Sequence, residues 1–561
     1  MAQSKSKTRN SKTSKGGKTV AAPTVAKTVV KALQELGVKH VFGVPSGGWV
    51  DYMEELRIAK GIDFILTTHE GGAGMMADVC GRMTGLPGVC FGTFGPGATN
   101  LATGVGEALL DRSPMIALTD EMPAALRGRT VQMAIDHQAL FAPLTKKTTR
   151  LAAKGVRKTL FDAAKVALQG RPGPVHVGLP VGLSAEIAGP ESVAFKAPAG
   201  APKADAKLLK KAVELFAKAK KPVLAVGLGA VQAGLAKEIK ALAHKHDIPV
   251  LLTPMAKGML AENDRSYAGV LFHALSDMVG ETHQQADLIV GIGYDPVEFN
   301  YESWMPKTAP LVSLDIAPAD IDRKSYKLAV DAVGDIKHSL AALAKLPATK
   351  RAWDMTALAG RRAAMFAKLQ PSNQGFGPKG ALKVLREVLP KDGIMTCDVG
   401  AHTHLIGQLW PTPAPGLQIM TNGWSTMGFG IPAAIAAKLC APKQPVCAVV
   451  GDGGFLMTVG ELATAVRYGV KIVVLVLTDN DLALIRIKQQ KKGNPIYGTP
   501  VRAKGSIGGD NLFGVPVLSA DDALSLRQTL DKAFKMDGPV VVQAMVDSRE
   551  YDGVVLKKDK P

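Results

Sequence analysis

The stretch VCAVVGDGGFLMTVGELATAVRYGVKIVVLVLTDN (446–480) decides the fold. It opens on a run of small and β-branched residues, breaks at Gly-Asp-Gly-Gly, passes through a helix-like segment and closes on a second apolar run ending in Thr478-Asp479-Asn480. Two continuous apolar runs joined by a helix read as neighbouring strands of a parallel sheet, buried on both faces. Open α/β sheets bind ligands beyond the carboxyl ends of their strands, and here those ends carry Asp452 and Asp479. Two oxygen ligands suit Mg²⁺, a hard cation that takes one or two protein carboxylates together with diphosphate oxygens and water. Gly453 and Gly454 let backbone amides approach a diphosphate at the start of the next helix. A plain strand-to-turn junction also gives Gly-Asp-Gly, so it is the second aspartate that singles out the metal reading.

The same alternation runs outward in both directions. Toward the N-terminus the strand candidates are HVFGVP (40–45), FILTTH (64–69), GVCFGTF (88–94), MIALTD (115–120) and PVHVGLP (174–180). PVLAVGLG (222–229), IPVLLTP (248–254), ADLIVGIG (286–293), APLVSLDI (309–316) and GIMTCDVG (393–400) follow. Toward the C-terminus comes GPVVVQAMV (538–546), which echoes GPVHVGLP (173–180). The chain therefore reads as α/β, with three doubly wound parallel-sheet domains at 24–190, 205–345 and 375–550. A linker rich in Pro, Ala and Lys, GPESVAFKAPAGAPKADAK (189–207), separates the first two. The echo implies that the outer domains are related and the central one is different.

At 561 residues, 47% hydrophobic and 21% charged, the composition is that of a globular α/β protein and excludes a disordered chain. No apolar run reaches membrane-spanning length. Five cysteines, Cys80, Cys90, Cys397, Cys440 and Cys447, are scattered without CxxC spacing, which points to a reducing compartment, the cytoplasm. The formal charge is +19, but the first twenty residues carry six Lys or Arg and no acid. Residues 1–23 read as a disordered basic tail without the apolar segment of a secretory signal; the alternative, an organellar transit peptide, fits their lack of acids and their Ser and Thr but not their preference for Lys over Arg. The other basic residues sit on helix-like stretches such as KLLKKAVELFAKAKK (207–221), as solvated faces do, which argues against nucleic-acid binding.

A second constellation is THEGGAG (68–74), where Glu70 closes an apolar strand and opens a helix. A carboxylate at a helix start is favoured by the dipole whatever its function. The glycines of GTFGPGATN (92–100) open another helix and invite close approach of a ligand, although a capped turn explains them equally.

Taken together these motifs resemble the thiamine diphosphate (ThDP) dependent acetohydroxyacid, or acetolactate, synthase superfamily. The resemblance covers everything after the basic tail. It rests on FGVPSGG (42–48), HEGGAGMMADVCGRMTG (69–85), GPGATNLATGV (95–105), DHQALFAPLTK (136–146), CDVGAHTH (397–404), TMGFGIPAAIAAKL (426–439) and GDGGFLMTVGELATAVR (451–467). In the middle block GYDPVEFNYESW (293–304), LDIAPADID (314–322) and VGDI (333–336) are most similar to the catabolic, flavin-independent type, which argues against FAD. The resemblance implies that Glu70 hydrogen-bonds N1′ of the cofactor's aminopyrimidine, and it places Asn100 among the cofactor-binding residues. It gives Asp452 and Asp479 to the metal, with the backbone carbonyl of Asp481 as third ligand. Gly400, His402, Gly453 and Gly454 fall where the family contacts the diphosphate, and Met427 where an apolar side chain props the cofactor into its bent form. LALIRI (482–487) reads as an apolar lining or as plain core. The resemblance also implies a homodimer or homotetramer with active sites between subunits.

Some positions depart from the pattern. Asp479 replaces the usual asparagine, keeping an oxygen ligand and adding a negative charge. Gly48 stands where the catabolic enzymes carry a lysine near the substrate, Glu121 where the anabolic relatives have glutamine, and Phe94 in place of a serine. Arg127, Arg129 and His137 read either as carboxylate binders or as surface charges. The leading reading is decarboxylation of pyruvate and ligation to a second keto acid, giving acetolactate. The rival is a ThDP-dependent decarboxylase or lyase acting on another 2-keto acid or an acyl-CoA, for which GLGAVQAG (227–234) is too weak a nucleotide motif. From another class comes a non-catalytic regulatory or nucleic-acid-binding protein, against which the intact Glu70, His402 and Asp452 weigh.

Overall fold

Strands buried on both faces need near-continuous apolar runs, and the chain supplies three sets of them. The computed structural model describes residues 22–373, 375–501 and 509–555. The expected basic tail, apart from Ala22 and Pro23, lies outside them.

The first sheet contains β1 (His40–Gly43), β2 (Asp63–Leu66), β3 (Gly88–Gly92), β4 (Met115–Glu121), β5 (Lys147–Arg150) and β6 (Pro174–Pro180), in the order β2-β1-β3-β4-β6-β5. The second contains β7 (Pro222–Val226), β8 (Val250–Leu252), β9 (Tyr267–Val270), β10 (Leu288–Ile292), β11 (Leu311–Asp315) and β12 (Leu328–Val333), in the order β12-β11-β10-β7-β8-β9. The third contains β13 (Ile394–Cys397), β14 (Gln418–Met420), β15 (Val446–Gly451), β16 (Val473–Thr478), β17 (Asn511–Leu512), β18 (Val515–Ala520) and β19 (Val540–Met545), in the order β14-β13-β15-β16-β19-β18-β17. Every pairing is parallel except the β17–β18 hairpin.

Without that hairpin strand the third sheet repeats the order of the first, and the second differs from both. The echo between GPVHVGLP and GPVVVQAMV thus belongs to equivalent strands, β6 and β19. The repeat also makes the end of β4, Thr119-Asp120, the counterpart of Thr478-Asp479 after β16.

Packing joins the three sheets. Helices Glu70–Thr84 and Gly430–Cys440, from the first and third sheets, bury Met76, Ala77, Ala433 and Ala437 in one core. At its edge Arg82 donates to Asp78, to Asp111 and to the Met420 carbonyl. Arg112 and Arg171 of the first block pair with Asp295 and Asp315 of the second. No helix of the described residues is long and apolar enough to cross a membrane.

Candidate active site

The carboxyl end of the third sheet forms a cavity lined by Gly400, His402, Met427, Asp452, Gly453, Gly454, Asp479 and Asp481. Every third-block residue assigned from sequence to the cofactor or the metal lines it. Asp452 opens the helix Asp452–Thr458 directly after β15. Its Oδ1 accepts from the Gly453 N–H at 2.9 Å and its Oδ2 from the Asn480 N–H at 2.6 Å, so the two strand ends are tied through this carboxylate. Asn480 reaches that bond with a φ of 59°, a left-handed conformation that asparagine tolerates better than most residues. Asp479 accepts from the Asp481 N–H at 3.1 Å. Burial, and then the neighbouring Asp452 carboxylate, push its carboxyl up to about 7. The Asp481 side chain pairs with Arg486 at 3.1 Å.

His402 packs its ring against Gly400, where a methyl group would come within 2.9 Å of it. Burial lowers its pKa to about 4, so the ring is neutral at pH 7, and its Nε2 is buried with no partner among the described residues. Met427 and Leu482 flank Gly453, where a methyl group would lie 3.6 Å from Met427 Cε and 2.7 Å from Leu482 Cδ2. Leu484 and Ile485 also line the cavity, so part of LALIRI faces it.

Glu70 lies at the carboxyl end of the first sheet, as first residue of the helix Glu70–Thr84 and 8% exposed. Asn100, on the helix Pro96–Leu110, donates to its Oε2 at 3.0 Å. A methyl group on Gly97 would come within 3.1 Å of its Oε1, so that glycine gives the carboxylate its room. Glu461 of the third block accepts from the backbone N–H groups of Thr68 and His69 beside it, at 3.2 and 3.1 Å. None of the residues lining the cavity comes from the first block.

The chain matches the family descriptions "Thiamine pyrophosphate enzyme, N-terminal TPP binding domain" over residues 23–140, the central domain over 209–343 and the C-terminal TPP binding domain over 398–544. It is 32% identical to the catabolic acetolactate synthase of Raoultella terrigena, over 94% of this chain and 95% of that one. It is 32% identical to the probable acetolactate synthase large subunit of Methanocaldococcus jannaschii, over 82% and 81%. With the acetolactate synthase of Bacillus subtilis it shares 30%, over 95% of each. The chain belongs to the acetolactate synthase family of thiamine pyrophosphate (ThDP) enzymes.

Within this family member, residues that the sequence did not single out organise both sheet ends. Asp398 Oδ1 accepts from Val399 and Gly428 N–H at 2.6 and 2.8 Å, fixing the turn that carries Met427. In the first sheet Asp120 takes a hydrogen bond from Ser46 and lies 3.5 Å from the Thr93 hydroxyl, joining the loops after β1 and β3. Burial pushes its carboxyl up to about 6 against those two donors. Gly48 abuts Asp120, and Phe94 is half-buried on the adjoining loop.

Glu121 and His137 are held in a network of their own. Glu121 pairs with Arg150 and accepts from Gln138 at 2.5 Å. His137 accepts the Gly95 N–H at 3.2 Å, and through its other nitrogen it shares the Thr119 hydroxyl with His176. It is 2% exposed, so it steadies the Gly95 turn and presents no free nitrogen to a ligand. Arg127 and Arg129 are exposed.

In the central sheet, Leu228, Val231 and Gln232, which follow β7, line a cavity together with Met255, Arg82 and Arg112. The strand order reverses between β7 and β10, where such sheets take dinucleotides. Methyl groups on Gly227 and Gly229 would come within 2.6 Å of the Gly293 carbonyl oxygen and 2.9 Å of its Cα, so these glycines serve close packing.

Proposed function

We propose that this chain converts two pyruvate anions and a proton into one acetolactate anion and CO₂, with ThDP and Mg²⁺ held at the carboxyl ends of its outer sheets. The observation that carries the reading is the meeting of Asp452, Asp479, His402, Met427 and the glycines of the third block in one cavity, matched by Glu70 on the equivalent edge of the first sheet.

The donor set fits the group. Asp479 is destabilised by burial and by Asp452, and a divalent cation held by these two residues would offset both. Asp481 spends its carboxylate on Arg486, which suits a role for its backbone carbonyl as third ligand. Gly400, Gly453 and Gly454 bring backbone to the wall of the cavity where a diphosphate would lie, and the unpartnered His402 Nε2 would give it a polar neighbour. Met427 and Leu482 supply apolar walls.

ThDP supplies a nucleophilic carbon for the keto carbonyl and a sink for the electron pair left when CO₂ departs. Glu70, oriented by Asn100, holds a proton at the pyrimidine ring nitrogen. Leu484 and Ile485, which line the cavity, would present an apolar surface to the reacting carbon, favouring transfer to a second keto acid over protonation.

Because the cavity takes no lining residue from the Glu70 block, we read the complete site as shared between two chains of a homodimer or homotetramer. The similarity of GYDPVEFNYESW (293–304) to the catabolic type supports a flavin-independent enzyme, and the free cysteines a cytoplasmic one. A second reading, a decarboxylase or lyase for another 2-keto acid or an acyl-CoA, is favoured by one observation, the Asp120 carboxylate beside Gly48. The test follows CO₂ and acetolactate together from pyruvate with ThDP and Mg²⁺. Equimolar appearance supports the synthase; CO₂ without acetolactate, or untouched pyruvate with bound cofactor, transfers the case to the second reading.

A further inference from the structure

Two of the five cysteines, scattered in sequence, are brought together by the fold. Cys80, near the end of helix Glu70–Thr84, and Cys440, the last residue of helix Gly430–Cys440, have sulfurs 2.9 Å apart across 360 positions of sequence. Cys90, Cys397 and Cys447 are buried and free. The contact does not depend on a loop. Both helices share one apolar core, and Arg82, half a turn beyond Cys80, is anchored on Asp78, Asp111 and the Met420 carbonyl. Sulfurs at this separation need only a small closure to bond.

The two thiols differ in access. Cys80 is buried and Cys440 partly exposed, so a reagent from solvent meets Cys440 first. With the Cys80 thiol donating its hydrogen, the Cys440 thiol is held below its usual range, which favours it as the attacking thiolate.

We propose that Cys80 and Cys440 form an oxidation site, at which a two-electron oxidant of the peroxide class closes a disulfide that ties the N-terminal sheet to the C-terminal one. The Cys440 thiolate attacks a peroxide oxygen, the O–O bond breaks, and hydroxide leaves to become water; Cys440 is now a sulfenic acid. The Cys80 sulfur, giving up its proton, attacks that sulfenic sulfur and expels a second water. Two thiols and one hydrogen peroxide give one disulfide and two waters, with both sulfurs oxidised and the peroxide reduced. The closed loop is long, so the cross-link takes much freedom from the unfolded chain while asking little movement of the folded one.

The test treats the full-length enzyme, with ThDP and Mg²⁺, with hydrogen peroxide and digests it without reduction. A peptide containing Cys80 linked to one containing Cys440 is expected, with free thiols in the denatured chain falling from five to three. The midpoint of thermal inactivation should rise by on the order of 5 °C, and dithiothreitol should reverse both changes. Cys440→Ser, or Cys440→Ala should serine fold poorly, is expected to match the unoxidised activity and to lose the rise. Sulfinic acid at Cys440 beside an unmodified Cys80, a cross-link between chains, or a cross-linked enzyme with an unmoved midpoint would each overturn the proposal.

Discussion

The carboxylate of Asp120 occupies the space that a side chain at Gly48 would need: a methyl group there would come within 3.0 Å of Asp120 Oδ1 and 3.1 Å of its Oδ2. Asp120 cannot yield freely, because Ser46 and Thr93 both hold its Oδ2. Glycine at 48 and aspartate at 120 are therefore one compensated arrangement. Gly48→Ala should cost about 1–3 kcal/mol in denaturant unfolding, the usual penalty of overpacking, and should raise the KM for pyruvate. Gly48→Ala combined with Asp120→Gly should recover most of both. If the double variant is as impaired as the sum of the singles, the two positions are uncoupled.

Glu70 has its orientation from Asn100, which suggests a graded pair of variants. Glu70→Gln keeps the shape and removes the proton-holding carboxylate, so kcat should fall by about 10²–10⁴, with ThDP still bound in calorimetric titration. Asn100→Ala leaves the carboxylate in place but loosens it, so a loss of about tenfold is expected. An Asn100→Ala enzyme as impaired as Glu70→Gln would mean that Asn100 does more than orient.

Metal removal should read through Asp452 and Asp479 unequally. Asp452 also ties the ends of β15 and β16 through Gly453 and Asn480, so Asp452→Ala should abolish activity and the Mg²⁺-dependent rise in thermal midpoint that binding to the folded state produces. Asp479→Asn keeps an oxygen ligand and relieves the repulsion from Asp452, so it should retain activity within about tenfold at saturating Mg²⁺. Titration of the apoenzyme with Mg²⁺ in the presence of ThDP, followed by activity and thermal midpoint, checks both.

The reach of sequence follows the physics of each element. The central strands were legible because burial on both faces writes an unbroken apolar run, as in KIVVLVL. The strands without such a run lie at or next to sheet edges. β5 (KTTR), β12 (LAVDAV) and β18 (VPVLSA) are only partly buried, β14 has three residues, and β17 is a two-residue strand paired antiparallel to β18. Of the site, Asp452, Asp479 and the glycines after Asp452 were readable from spacing, and Gly400, His402, Met427 and Asn100 only through the resemblance to the family. Asp120, Asp398 and Glu461 were readable from neither, because each acts on a segment distant in sequence: Asp120 on Ser46, Asp398 on Gly428, Glu461 on Thr68 and His69. His137 read either as a carboxylate binder or as a surface charge, and only its contacts with Gly95 and Thr119 reveal a steadying role. The Cys80–Cys440 pair was hidden for the same reason.

Glu298 gives the fold a pH dependence of definite sign. It is buried, accepting from the Thr253 hydroxyl at 2.7 Å and the Met255 N–H at 2.8 Å, and burial outweighs those donors to push its carboxyl up to about 8. Between the ordinary glutamate range and that value the folded chain holds a proton that the unfolded chain releases, so stability falls as pH rises through this window and levels off above it. The share belonging to Glu298 is fully present below about pH 4.5 and lost by about pH 8, on the order of a few kcal/mol. Glu298→Gln keeps the shape, offers an oxygen to Met255 and an amide to Thr253, and has no proton to lose. Chemical denaturation of both enzymes at pH 5, 6.5 and 8 should therefore show the variant losing less stability across the series and equalling or exceeding the wild type at pH 8. Parallel curves for the two would mean that Glu298 is ionised in the fold and that Thr253 and Met255 suffice to hold its charge.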